Sequence, residues 1–139
     1  MKTAIIYKSF LGTTRKYAQW LNESTESDLF KSSKVSEQEL QEYDLVVLSS
    51  ATYMGWILLR GYLEKSWPIL QRKKVILLVT GIFPQEHADS EKSFQKIPED
   101  IRENIKYFKL PGKIGSSNAD QVMKEKLQPV LDYIGSLAA

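Results

Sequence analysis

The sequence predicts an α/β protein built on a doubly wound, five-stranded parallel sheet with helices on both faces. Two observations predict it. Strand and helix signals alternate from one end of the 139 residues to the other. Three of the strand segments are almost wholly apolar, as strands are when both faces of a sheet are covered. No linker, repeat or low-complexity tract interrupts the alternation, and the length is typical of one domain, so residues 1–139 are expected to form a single domain.

The elements follow in order. TAIIY at 3–7 is rich in branched apolar residues and reads as a buried strand. Residues 13–23 carry Tyr17, Ala18 and Leu21 at helical spacing. A short strand is expected at 27–32 around Leu29 and Phe30, then a polar surface helix at 36–42. DLVVLSS at 44–50 is the next buried strand. From Ile57 to Gln71 the apolar residues Leu59, Tyr62, Leu63 and Trp67 keep helical spacing, and Pro68 should kink or divide that helix. KVILLVT at 74–80 is the fourth strand. The polar stretch 84–104 has a helical pattern broken by Pro98, and NIKYFKL around 105–110 alternates like an edge strand. Pro111-Gly112 marks a turn. Ser117 and Asp120 resemble a helix cap, and the last helix should run to about 137, burying Val122, Met123, Leu127, Val130, Leu131 and Ile134.

Composition removes several kinds of chemistry. There is no cysteine, which excludes disulfides, thiol catalysis and cysteine-ligated metal, and fits a reducing, cytoplasmic setting. The one histidine, His87, rules out a histidine-rich metal site and, in its polar stretch, reads as a solvated surface residue. No metal site is expected. With 19 basic and 17 acidic residues, the net charge of +2 is too small to argue for nucleic acid. No segment approaches the roughly 20 apolar residues that span a bilayer, and the N-terminus reads as a strand rather than a leader.

In a sheet of this kind ligands sit beyond the carboxyl ends of the strands. The first strand ends in Lys8-Ser9-Phe10-Leu11-Gly12-Thr13-Thr14-Arg15, a short loop that opens into a helix. A helix start offers unpaired N–H groups and partial positive charge. Gly12 permits close approach of the backbone, and Ser9, Thr13 and Thr14 bring hydroxyls, so the loop can cradle a phosphate. The plain alternative is a strand-to-helix turn capped by Thr13.

The segment Ile5-Ile6-Tyr7-Lys8-Ser9, Gly12-Thr13-Thr14, Ala18 and Leu21 resembles the N-terminal signature of the flavodoxin family at every specified position. The resemblance implies strand order 2-1-3-4-5 and an FMN cofactor whose phosphate is held by Ser9 and Thr14 hydroxyls and by the backbone of residues 10–14. Phe10 and Leu11 stand where many flavodoxins have threonines. After the third strand, Ala51-Thr52-Tyr53-Met54-Gly55-Trp56 supplies aromatic and thioether side chains suited to a flat ring. Its spacing is similar to that of the flavodoxin-like protoporphyrinogen dehydrogenases, with one residue more before the glycine than the flavodoxin element. Tyr53, Met54 and Trp56 are all candidates to touch the ring, and Trp56 is equally a candidate core residue. After the fourth strand, Thr80, Gly81 and Ile82 are candidates for backbone contacts, and Phe83 for a second face.

The resemblance implies a flavoprotein that transfers electrons, as a carrier or an FMN-dependent oxidoreductase, with a redox partner protein or a small-molecule donor or acceptor as its partner. No catalytic side chain is expected, because the flavin carries the chemistry. Residues 9–14 and 51–57 hold no acid, and Lys8 and Arg15 flank the first loop. That predicts a less negative potential for the fully reduced flavin than in carboxylate-ringed flavodoxins. The alternative is an interaction module of the same fold that has lost FMN. A phosphate-accepting receiver domain shares the strand order but needs acids where this chain has Ser9 and Ser50.

Overall fold

The three apolar segments form the middle of one sheet. The computed structural model describes residues 1–9, 12–112 and 121–138. In it β1 (Thr3–Lys8), β3 (Leu45–Tyr53) and β5 (Lys74–Gly81) run parallel, side by side. Outside them lie β2 (Asp28–Lys31), against β1, and β6 (Lys106–Pro111), against β5. The order is β2-β1-β3-β5-β6, which counted over these five parallel strands is the 2-1-3-4-5 that the resemblance implies. The sequence pattern does not announce a further short strand, β4 (Trp56–Ile57). It folds back antiparallel on β3, pairing Thr52 with Ile57 and Tyr53 with Trp56.

Strand alternation divides the core in two. Ala4, Ile6, Val46, Leu48, Val75, Leu77 and Val79 point to one face. There they meet Leu40 of α2 (Glu37–Leu40), Leu63 and Leu70 of α3 (Arg60–Leu70), and Ile101 of α5 (Glu99–Arg102). Ile5, Tyr7, Leu45, Val47, Ile76 and Leu78 point to the other. There they meet Tyr17, Ala18 and Leu21 of α1 (Thr13–Glu23) and Val130 of α6 (Gln128–Ala138). The remaining helix, α4 (Ala88–Gln95), lies on the α3 side, where Phe94 stacks on Tyr107 of β6 with ring centroids 4.2 Å apart. Each fully buried valine, leucine or isoleucine among these contributes about 1.5–3 kcal/mol relative to exposure.

Some boundaries differ from the sequence expectation. β3 runs on to Tyr53, and α3 begins at Arg60 rather than Ile57, because the β3–β4 hairpin takes up the intervening residues. Pro68 does not divide α3. It stands in the last turn, and the helix ends at Leu70. α2 starts at a capping box in which Glu39 N donates to Ser36 Oγ at 3.1 Å and Ser36 N donates to Glu39 Oε1 at 3.2 Å. The last helix begins only at Gln128, after a 3-10 turn at Lys124–Leu127. Met123 precedes that turn in extended conformation and is exposed, against expectation, whereas Leu127 and Val130 are buried. The Ser117–Asp120 cap lies outside the described residues.

Candidate functional site

A cavity of about 560 Å³ opens beyond the carboxyl ends of the strands, within the range usual for small-molecule sites. Five segments wall it. Thr13 and Thr14 come from the start of α1, residues 51–55 from the hairpin, and residues 80–83 from the end of β5. Asp89, Ser90, Lys92 and Ser93 come from α4 and Lys96 from just past its end, with Lys109 and Gly112 from β6 and its end.

α1 opens at this cavity on an unusual cap. Gly12 occupies the N-cap with φ +88°, a left-handed conformation, and offers no side chain to the helix. The first turn has no acidic residue and no side-chain cap among the described residues. Thr13, a capping alternative in the sequence, is instead the first helical residue. Ser9 shapes the approach, its Oγ accepting from Gly12 N at 2.9 Å. Tyr17 OH donates to Pro111 O at 2.8 Å and ties α1 to the end of β6. Burial pushes the Tyr17 phenol up to about 12, with a backbone hydrogen bond at Met123 opposing.

Two side chains of the cavity stand out. Thr13 Oγ1 and Thr80 Oγ1 are buried and have no hydrogen-bond partner among the described residues. Native structures leave few buried hydroxyls in that state. Both residues line the cavity, and an oxygen-rich ligand would satisfy them. These orphan hydroxyls and the bare helix start fit the phosphate and polar edge of FMN.

Backbone geometry and hydrogen bonds from the neighbouring elements hold the hairpin in place. Met54 has φ +53° and Gly55 φ +81°. Positive φ at both central positions is what a two-residue type I′ hairpin turn requires. Gly55 O accepts from Ser93 Oγ at 2.9 Å and from Lys96 Nζ at 2.8 Å, which docks the turn on α4. Thr52 Oγ1 donates to Thr80 O at 3.1 Å and joins the hairpin to the β5 loop. That loop is pinned in turn by Ser90 Oγ, which donates to Phe83 O at 3.1 Å, and by Lys109 N, which donates to Gln85 Oε1 at 3.3 Å. Gly112 N donates to Gly81 O at 2.9 Å, and a Cβ on Gly112 would come within 3.3 Å of the Gly81 backbone.

The structure thus brings together Thr13, Thr14, Ala51, Thr52, Tyr53, Met54, Gly55, Thr80, Gly81, Ile82 and Phe83. Ser9 and Gly12 form the adjoining turn. Trp56 is neither core nor cavity wall. It is 45% exposed at the rim, with Arg60 Cζ 4.7 Å and Lys96 Nζ 4.1 Å from its ring centroid. Phe10 and Leu11 lie outside the described residues. His87 is exposed, caps α4 through Nδ1, which accepts from Asp89 N at 3.0 Å, and stacks on Phe83 at 4.2 Å. Sequence reasoning misses the α4 wall and Lys109. The only local signal is the pair Ser90 and Ser93, three apart and so on one helix face.

The architecture is that of a doubly wound α/β domain with its cavity where proteins of that class take their ligands. A model of the flavodoxin domain family matches residues 4–132, and the chain belongs to that family. Among solved structures, a flavodoxin from the domain Archaea superposes with a TM-score of 0.64 at 17% identity, covering 100% of both chains. The two-electron reduced flavodoxin of Megasphaera elsdenii gives 0.64 at 15% identity, covering 89% of this chain and 94% of that one. A flavoprotein from Lactobacillus acidophilus in complex with FMN gives 0.55 at 17% identity, covering 87% and 97%. At such identities the likeness is one of fold. No curated protein matches the chain. Among the described residues, no helix is long and apolar enough to cross a membrane.

Proposed function

We propose that the protein binds FMN in this cavity and transfers electrons through it, exchanging them with a redox protein or a small-molecule donor or acceptor. The observation that carries the reading is the convergence of an uncapped helix start with two buried, unpartnered hydroxyls, at Thr13 and Thr80, on one cavity. The N–H groups at the start of α1 and the Thr13 and Thr14 hydroxyls bind the phosphate, with Ser9 holding Gly12 in the turn that exposes them. The hairpin side chains Tyr53 and Met54, opposite Ile82 and Phe83, wall the ring and exclude water from it. Thr80 and the backbone of Gly81 hold polar atoms of the same ligand. Bound FMN supplies the reversible uptake and release of electrons. The absence of cysteine fits a cytoplasmic setting for such a protein.

The FMN-loaded flavoprotein from Lactobacillus acidophilus shares the fold and adds support. The visible spectrum of the purified protein and titration of the flavin-free protein with FMN test the reading. It expects flavin bands at close to one FMN per chain. Colourless protein that takes up no added FMN contradicts it and favours an interaction module.

A further inference from the structure

Lys109 is out of place for a structural residue. On β6 it shares a strand face with Tyr107, whose ring stacks on Phe94 under α4, so the position is one that packing would fill with an apolar side chain. It is half-buried instead, and burial lowers the pKa of its ammonium. Among the described residues it forms no ion pair. Its Nζ donates to Ser90 Oγ at 2.8 Å, which uses one of three N–H donors. The ammonium lies at the cavity wall beside Gly81, where a Cβ would come within 3.0 Å of Nζ. Lys92 and Lys96 line the same cavity, where among the described residues the one carboxylate is that of Asp89, which faces His87 at 3.9 Å. A cation held half-dry without a counter-charge is suited to a negative charge that arrives with the ligand or develops on it.

We infer that Lys109 is the charge-compensating residue of the flavin site, setting the potential of bound FMN by stabilising the negative charge that full reduction places on the ring. This rests on the reading that the cavity binds FMN. The balance is simple. Full reduction of the ring takes up two electrons from a reductant and one proton from water, and leaves one negative charge. Lys109 keeps its own proton throughout and contributes only its charge. Arg60, over the Trp56 ring and paired with Glu64 at 3.3 Å, is already compensated.

The test compares two-electron midpoint potentials of FMN-loaded wild type, Lys109→Met and Lys109→Arg at pH 7. Spectroelectrochemistry reads them with dithionite as the reductant, which is itself oxidised to sulfite. Lys109→Met is expected to bind fully reduced FMN about tenfold less tightly relative to oxidised FMN, a negative shift of about 30 mV. Lys109→Arg, which keeps the charge, is expected to restore the wild-type value, and a value that stays at that of Lys109→Met overturns the inference. An unchanged potential in FMN-loaded Lys109→Met overturns this inference and leaves the cofactor reading standing. Failure of the wild type to take up FMN overturns the cofactor reading and this inference with it. If circular dichroism shows Lys109→Met unfolded, Lys109→Gln takes its place: a negative shift of the same size supports the inference, and an unchanged potential overturns it.

Discussion

At Thr13 and Thr80 the structure leaves a buried hydroxyl with no hydrogen-bond partner among the described residues. An unpaired buried hydroxyl costs about 1–3 kcal/mol. Thr80→Val, nearly the same shape and at home in a strand, is therefore expected to stabilise the flavin-free protein by about 1 kcal/mol in urea denaturation. The same variant should weaken FMN by about tenfold in titration, the loss of one ligand hydrogen bond. A threonine kept for packing would show no such opposition. Gly12 has the contrary logic. No atom lies within 4 Å of a Cβ placed there, so Gly12→Ala meets only the penalty of its φ of +88°. That amounts to about 1–2 kcal/mol of stability, measurable by thermal unfolding. Gly12 and the threonines beside it are legible in the sequence because they lie in one contiguous loop. Lys109, Ser90 and Ser93 are not, because they join the site from segments far along the chain. Nothing local marks Lys109 as facing inward on an edge strand.

The hairpin shows an element-scale conflict between stability and site. Met54 adopts φ +53°, a region in which asparagine and glycine are at ease and methionine is not, yet its side chain is 80% exposed at the cavity. Met54→Asn should raise the stability of the flavin-free protein by about 1 kcal/mol, while FMN affinity falls through loss of the thioether wall. Equal FMN affinity in the two proteins would show that Met54 does not touch the ring. The sequence marks this loop as aromatic and glycine-bearing but does not reveal the hairpin, since Met-Gly is not a usual signal for a type I′ turn. The docking of Gly55 O on Ser93 and Lys96 stabilises the turn despite its composition. The same hairpin moves the start of α3 from Ile57 to Arg60. Helical spacing alone cannot register that change, because Ile57 is buried in either arrangement. At the other end of the chain, Met123 fits a helical apolar pattern but precedes the helix, and so stays exposed.

On the scale of the whole molecule, the two-sided sheet is what the sequence shows best. Ile5 and Ile6, or Val46 and Val47, are adjacent apolar residues that must face opposite ways in a strand, and each finds its own core. The same burial fixes the alkaline limit of the fold. Burial raises the phenols of Tyr17, Tyr62 and Tyr107 to about 12, and burial with the Asp28 carboxylate does so for Tyr43. Between an unfolded value of 10.0 and about 12, the unfolded chain loses phenolic protons that the folded chain keeps. The stability these phenols contribute is therefore fully present below pH 10 and is lost as pH rises toward 12. Lys109, with its lowered pKa, acts in the opposite sense below 10.5, as one group against four. Phenolate absorbance followed beside circular dichroism should show these tyrosines ionising together with unfolding. The proposed reading rests above all on a phosphate seat at the start of α1, and calorimetric titration of the flavin-free protein with FMN and with riboflavin, side by side, tests that seat most directly. Two or more charge-assisted hydrogen bonds of about 1.5–3 kcal/mol each predict FMN tighter than riboflavin by roughly a hundredfold or more. Equal affinity for the two would contradict it.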